Sequence, residues 1–391
     1  MKVLFFVFDG LADFPKNKTP LSKANKPNIN YLASKGLVAK LKLLKKSQWN
    51  EETRASVSHF ANISLLGYDI EKFKLKRGVL EAVSAGIEFK NGWLALRCDF
   101  STIKDGIIID RRAGRETFGL DELARDLNKI DIGLPFEFKR TYGHRAVLVL
   151  KEKLDENIQT NDPLSNNLPP KEIKALSKKA KRTEEILRRF IQESHELLKN
   201  HKINEERIKK GMLPANYILL REPGNKIFAL SPSFRKRFNV RPLVISENGV
   251  MKATCMLAGF DALEIPEGLD YKKGIKFIFE KIEESLTYYD FIYSHIKWTD
   301  EAAHDGNFEK KKKIIEEFDK YLESYKDFKE KIIITTDHIT SCETRKHEFG
   351  DVPVLIYPFK KGKFKTFDEF VANKSIRLTP NKLWKIVFKK I

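Results

Sequence analysis

The stretch Lys331–Asp351, KIIITTDHITSCETRKHEFGD, constrains this chain more than any other. The run Ile332, Ile333, Ile334, Thr335 predicts a strand buried on both faces, as inside a parallel sheet. It stops at a charged pair, Asp337 and His338, and His347 follows in a polar loop. In an open α/β sheet, ligands bind just beyond the carboxyl ends of the strands. A carboxylate and two imidazoles at such an end are oxygen and nitrogen ligands for a divalent transition metal. The competing reading makes Asp337 a helix cap and the two histidines surface residues.

The rest of the chain bears on that choice. At 391 residues it is long enough for two domains, and 41% hydrophobic with 32% charged residues predicts a globular chain rather than a disordered one. The N-terminal run VLFFVF breaks at Asp9 with no cleavage site, so it reads as a first strand and not a signal peptide. No run approaches the roughly 18 apolar residues of a membrane span. Cys98, Cys255 and Cys342 are odd in number and widely spaced, which gives no disulfide or zinc framework and fits a reducing cytoplasm. The net charge of +19 admits nucleic acid, an anionic membrane surface or small anionic substrates. Its lysines are spread thinly and no nucleic-acid motif stands out, so neither a specific nucleic acid nor a membrane is expected as a partner. The Lys-, Glu- and Ile-rich usage hints at a thermophile.

Taken in order, Lys2 to Phe8 is the first strand and Asp9-Gly10 closes it, placing a carboxylate at the sheet's carboxyl edge or simply making a turn. Ser58 falls near the start of a helix carrying Phe60, Ile63 and Leu66. There it faces free N–H groups and the positive end of the dipole, which suits an attacking oxygen, a bound phosphate or an ordinary N-cap. Strand-like alternation over 93–110 leads into Asp110, Arg111, Arg112, Gly114 and Arg115. Three arginines in five residues form either an anion site or a solvated basic turn. Strands and turns from 88 to 168, with one helix from Leu120 to Leu127, predict a separate smaller domain. Pro169-Pro170 is expected to open a long helix with a stripe at Ile186, Leu187, Phe190, Ile191, Leu197 and Leu198. Tyr217–Leu220, Lys226–Leu230, Leu243–Ile245 and Ala262–Ile265 are strand candidates in a pattern of parallel strands and crossover helices. After the strand ending at His295, Asp300 and His304 lie four apart, one turn of a helix and a metal-ligand spacing.

Carboxylates and imidazoles at three strand ends, with a serine at a helix start and an arginine cluster, are parts for metal-assisted phosphoryl transfer. The motifs DGLAD (9–13), SLLGYD (64–69), RGVLEAVSAGI (77–87), RCDFST (97–102), IDRRAGR (109–115), HRAVLVL (144–150), LPANYILLR (213–221), HIKWTDEAAHDG (295–306) and TTDHIT…KHEFGDVPV (335–354) carry the argument further. With them the sequence resembles the archaeal type of cofactor-independent phosphoglycerate mutase, in the alkaline phosphatase superfamily, nearly end to end. The resemblance implies an α/β fold. It would have an alkaline-phosphatase-like three-layer core with a mainly parallel sheet (residues 1–87 and 169–391) and a smaller inserted α+β domain (88–168), the active site lying in the cleft between them. It implies two divalent metal ions, manganese first and cobalt, zinc or magnesium as alternatives. Asp9, Ser58, Asp337 and His338 would hold one, and Asp300, His304 and His347 the other. Ser58 would be the nucleophile that takes the phosphate of phosphoglycerate as phosphoserine and returns it to the other hydroxyl. Arg111 and Arg115, then Arg77 and Lys297, are the expected substrate-binding residues.

The sequence departs from the family in two places. The nucleophile is usually followed by an acidic residue and later a histidine, where this chain has His59 and Asn62. LREPG (220–224) stands where RG-x-G is more usual. Another metal-dependent phosphatase or phosphomutase, or a non-catalytic relative, is the alternative function. Nothing in the sequence sets the oligomeric state.

Overall fold

The computed structural model describes residues 1–14, 18–359 and 362–388. They fall into two compact units: Met1–Phe73 with Ala229–Glu247 and Thr254–Ile391, and Lys74–Phe228 with Asn248–Ala253.

The first unit is built on an eight-stranded sheet. Its spatial order is Asp261–Glu264, Pro242–Ser246, Phe291–Ile296, Val3–Phe8, Lys331–Thr336, Val352–Tyr357, Leu37–Leu41 and Arg377–Leu378. Only Val352–Tyr357 runs against its neighbours; the other pairings are parallel. Every residue of the three central strands is buried, which explains why they read as unbroken apolar runs. Helices cover both faces. On one, Phe6 and Phe8 meet Phe318, and Phe6 stacks on Phe279. On the other, Phe5 packs edge-on against Trp384 of the helix Pro380–Phe388. Side chains alternate across a strand, so neighbouring phenylalanines serve opposite layers.

Register positions the chemistry. Phe8 pairs with Ile296 on one side and Thr336 on the other. The three central strands therefore end level, and the residues that follow (Asp9, Lys297 and Asp337) leave the sheet at one height.

The second unit holds an antiparallel sheet in the order Ile107–Asp110, Leu94–Lys104, Arg145–Leu150, Phe136–Arg140, with Tyr217–Gly224 also paired to Leu94–Lys104. Leu94, Leu96, Cys98 and Phe100 face the helices Leu120–Leu127 and Lys181–Lys199. Ala95, Val147 and Val149 face the helix Arg77–Ser84.

The structure differs from the sequence reading at several points. The second unit is longer than 88–168 because Ile186, Leu187 and Phe190 bury their stripe under its sheet. That helix starts at Lys181 rather than at Pro170. Residues 174–175 instead pair with Ile158–Gln159, and Ser177 caps Ala180. Tyr217–Gly224 is antiparallel in the second unit rather than part of the parallel sheet. Lys226–Leu230 forms no strand; the Ile227 amide is taken by the Asn91 side chain at 2.7 Å. Among the described residues no helix is long and apolar enough to cross a membrane.

Candidate active site

Asp9 follows the strand Val3–Phe8, and Gly10 turns the chain at φ +56°. A side chain on Gly10 would run into Thr340 and Asp300, so glycine is required by both backbone and space. The Gly10 amide donates to Asp337 Oδ1 at 3.1 Å. Ser58 is the second residue of the helix Val57–Leu65. Its Oγ lies 3.0 Å from His338 Nε2 and 3.5 Å from Asp9 Oδ1. His338 Nε2 is in turn 2.9 Å from Asp9 Oδ1 and 3.5 Å from Asp337 Oδ1. Asp300 and His304 sit on the helix Trp298–His304 with His304 Nε2 3.3 Å from Asp300 Oδ2. His347 Nε2 is 3.0 Å from His304 Nε2 and 3.8 Å from Asp300 Oδ1. Asp9, Ser58, Asp300, His304, Asp337, His338 and His347, scattered over the chain, thus meet at one sheet edge.

The hydrogen bonds around the imidazoles show what the cluster lacks. His304 Nδ1 lies 2.9 Å from the Arg345 carbonyl and His347 Nδ1 2.9 Å from the Arg54 carbonyl. A carbonyl only accepts, so both Nδ1 atoms carry the hydrogen and the facing Nε2 atoms present lone pairs to each other. Thr340 repeats the arrangement: its hydroxyl donates to Asp300 Oδ1 at 2.6 Å and accepts from His338 Nδ1 at 3.0 Å. His338 Nε2 then faces the Asp9 and Asp337 carboxylates, with a lone pair in the neutral ring and an N–H in the charged one. Carboxylates and ring nitrogens that face one another so closely call for a shared proton or a cation, and ring nitrogens fixed from behind are the usual setting of metal-ligating histidine. Atoms of Asp300, His338 and His347 lie within 4.8 Å of one another, as do those of Asp9, His295 and Asp337. This donor set fits divalent cations.

The same crowding moves the proton equilibria. Burial, then Asp337 and Asp300, push the Asp9 carboxyl up to about 7. Burial lowers His338, but the Asp337 and Asp9 carboxylates outweigh it and carry the ring up to about 10. Burial raises Asp300, yet His304, His338 and Thr340 hold it well below the usual carboxylate range.

His295 belongs to the cluster without having been singled out. It is buried on the strand Phe291–Ile296 with Nδ1 3.3 Å from Glu247 Oε1, and among the described residues its Nε2 has no hydrogen-bond partner. The adjacent polar pair Ser294-His295 in a strand buried on both faces was the available signal, since a buried polar group needs a reason. Asn62, in the sequence only a departure from the family pattern, joins the cluster too. Its amide nitrogen donates to the Ser58 carbonyl at 2.7 Å and Asp337 Oδ2 at 3.1 Å, and its oxygen accepts from Tyr293 at 2.6 Å. His59 is buried against the Phe60 ring.

Of the expected substrate-binding residues, Lys297 belongs to the first unit, its Nζ 3.4 Å from Glu301. The arginines belong to the second. Arg111 closes its fork on Asp162 at 2.8 and 2.6 Å, Arg115 is exposed at φ +64°, and Arg77 Nε lies 3.4 Å from Glu81 and 3.8 Å from Glu222.

Residues 50–204 match the family model described as 2,3-bisphosphoglycerate-independent phosphoglycerate mutase. The mutase of that name from Pyrococcus abyssi is 36% identical over 91% of this chain and 88% of its own length. One from Archaeoglobus fulgidus is 36% identical over 96% of this chain and 93% of its own. Among solved structures, the cofactor-independent phosphoglycerate mutase of Thermoplasma acidophilum aligns over 99% of both chains at 30% identity with a TM-score of 0.65. A protein from Pyrococcus horikoshii aligns over 99% of this chain and 96% of its own at 26% identity with a TM-score of 0.76. The chain belongs to the 2,3-bisphosphoglycerate-independent phosphoglycerate mutase family.

Proposed function

We propose that this chain interconverts 2-phosphoglycerate and 3-phosphoglycerate through a phosphoserine on Ser58. The observation that carries the reading is the position of Ser58 Oγ, 3.0 Å from His338 Nε2 at the start of a helix and beside Asp9. A serine oxygen needs activation of this kind to attack near neutral pH. Asp9, Ser58, Asp337 and His338 would hold one divalent cation, and Asp300, His304 and His347 a second. When bound, such cations polarise phosphoryl oxygens and acidify the serine hydroxyl. Manganese is our choice for this oxygen and nitrogen donor set, with cobalt, zinc and magnesium as alternatives.

In the forward half, Ser58 Oγ forms its bond to phosphorus as the bond from phosphorus to the glycerate oxygen breaks. The proton lost by Ser58 balances the one gained by that oxygen. In the return half, the other glycerate hydroxyl takes the phosphoryl group and Ser58 regains its proton. Asn62 would keep Ser58 in place by tying its carbonyl to Asp337. Arg111, Arg115, Arg77 and Lys297 are the groups proposed to hold the substrate's carboxylate and phosphate, with Arg111 already turned toward Asp162. The three dispersed cysteines support a reducing cytoplasmic setting.

The test is an assay of the chain reconstituted with manganese and supplied with 3-phosphoglycerate, together with peptide mass mapping after brief incubation. Isomerised product and phosphate on Ser58 are expected. Free phosphate without isomerisation would make the chain a phosphatase, and phosphate on Ser56 would move the nucleophile by two residues.

A further inference from the structure

The second unit concentrates guanidinium groups on one face of its sheet. Cross-strand register sets Arg97 opposite Arg221, and Asp99 opposite Arg145. Residues two apart on a strand share a face. These side chains therefore project on the side where Ala95, Val147 and Val149 pack under the helix Arg77–Ser84. Arg77 and Glu81, one turn apart on that helix, reach the same place. Arg97 Nη2 is 3.3 Å from Asp99, and Arg221 Nη1 is 3.2 Å from it.

Two of these groups lack what their surroundings demand. Arg97 is buried, and among the described residues its Nε has no acceptor. Burial, with the like charges of Arg97 and Arg77, holds the Arg145 guanidinium down at about 10. Among the described residues no carboxylate lies within ion-pair distance of Arg145. Arg77 and Arg145 remain partly exposed, so an anion from solvent can reach them.

Glu222 occupies an unusual position beside this group. The register between Leu94–Lys104 and Tyr217–Gly224 shifts between Ala95 and Arg97, where the second strand has one extra residue. Glu222 lies in that bulge at φ +48°, a conformation that favours glycine in bulges of this kind. A bulge re-aims the side chain it carries. Here the Glu222 carboxylate comes within 3.8 Å of Arg77, 4.0 Å of Arg97 and 3.8 Å of Arg221. Those separations are too long for hydrogen bonds. The glutamate offsets charge without locking the guanidiniums, and an incoming carboxylate or phosphate could still bind in bidentate fashion.

We propose that Glu222 is an internal carboxylate that competes with a bound anionic substrate for Arg77, Arg97 and Arg145 and so sets that substrate's affinity. The choice of phosphoglycerate as the anion rests on the function proposed above; the competition does not. The test is calorimetric titration of the full chain, carrying Ser58→Ala to prevent turnover, with 3-phosphoglycerate, glycerate and inorganic phosphate at low salt. Glu222→Gln and Glu222→Gly should tighten binding of 3-phosphoglycerate by about 3- to 10-fold, since a charge competing at a partly exposed site is removed. Arg145→Gln should weaken it about 10-fold or more, and Arg145→Lys, which keeps the charge but not the fork, serves if the glutamine variant does not fold. A change seen with glycerate assigns the site to the carboxylate, and one seen with inorganic phosphate to the phosphoryl group. Unchanged or weaker binding in both Glu222 variants would make that residue a structural counter-ion and overturn the competition. Unchanged binding in a folded Arg145 variant would overturn the site. Failure to isomerise phosphoglycerate, with these shifts intact, would overturn the proposed function and leave this inference standing.

Discussion

The two units carry opposite electrostatic problems. At the sheet edge of the first, carboxylates and imidazole nitrogens converge on one another. On the sheet face of the second, Arg77, Arg97, Arg145 and Arg221 share Asp99, Glu81 and Glu222 and keep guanidinium nitrogen without an acceptor. The first arrangement suits cations, and the second suits an anion. Parallel strands ending level concentrate residues from loops just past the sheet. An antiparallel sheet instead gathers residues from the middles of its strands by register. One chain uses both constructions, and each can be tested by removing what it lacks.

The largest effect should come from Ser58→Ala. We expect mutase activity to fall by about 10³-fold or more, since the attacking atom is lost, while calorimetric manganese binding persists through the remaining Asp and His ligands. A variant retaining full turnover would sever the acceptor cluster from the reaction.

Next, Asp162 ties the second unit's arginines together. It takes both fork nitrogens of Arg111 at 2.8 and 2.6 Å and Arg221 Nε at 2.9 Å while itself buried. Asp162→Ala should cost about 3 kcal/mol, the loss typical of breaking a buried pair. Chemical denaturation that shows less than about 1 kcal/mol would mean that solvent replaces Asp162 readily, and the cluster is looser than its distances imply.

Cation removal should separate the units. Manganese at about 100 times its Kd stabilises by about 2.7 kcal/mol, so a chelator should lower Tm by about 5–10 °C. Hydrogen exchange should rise at 291–306 and 331–348 more than at 94–104 and 145–150. Equal loss of protection in both regions would contradict the assignment of the cations to the first unit.

The same contrast governs how much could be read in advance. The buried runs Val3–Phe8 and Ile332–Thr336 announce central strands, and Asp9, Asp337 and His338 follow them directly in sequence. Asp300 and His304 are visible as a helical pair. His295 was missed because it lies inside a strand rather than past its end. Asn62 stood out only as a departure from the family, and its bonds to Ser58 and Asp337 could not be read without the fold. In the second unit Arg77 is the one member of the guanidinium cluster that the sequence reading names as a substrate-binding candidate. Arg97, Arg145 and Arg221 lie far apart in the motifs RCDFST, HRAVLVL and LPANYILLR, and only antiparallel register brings them together. The DRRAGR run drew attention instead because its arginines are adjacent in sequence. Glu222 was noticed where the family has glycine, but its significance depends on φ +48° and three nearby guanidiniums.

The smallest effect concerns pH and tests the cationic side of the comparison. His144 Nε2 lies 3.6 Å from Asp99 Oδ1, yet burial lowers the ring to about 4, with Arg145, Arg97 and Arg112 opposing the pull of Asp99. The unfolded chain would protonate this histidine near 6.5. Between those values the unfolded state binds a proton that the folded state refuses, so stability falls as the pH drops from about 6.5 to about 4 and levels off below. Above 6.5 both states are neutral and the contribution is flat. The partly open site should limit the loss to about 1–2 kcal/mol. Denaturation midpoints measured from pH 8 to pH 4 on the chain and on His144→Gln should diverge across that window, the variant losing less. Inorganic phosphate, by screening the guanidiniums, should raise the histidine's affinity for a proton and shrink the difference. Parallel profiles for chain and variant would show that the surplus positive charge does not reach His144, and that the guanidinium face is better neutralised by Asp99, Glu81 and Glu222 than its geometry indicates.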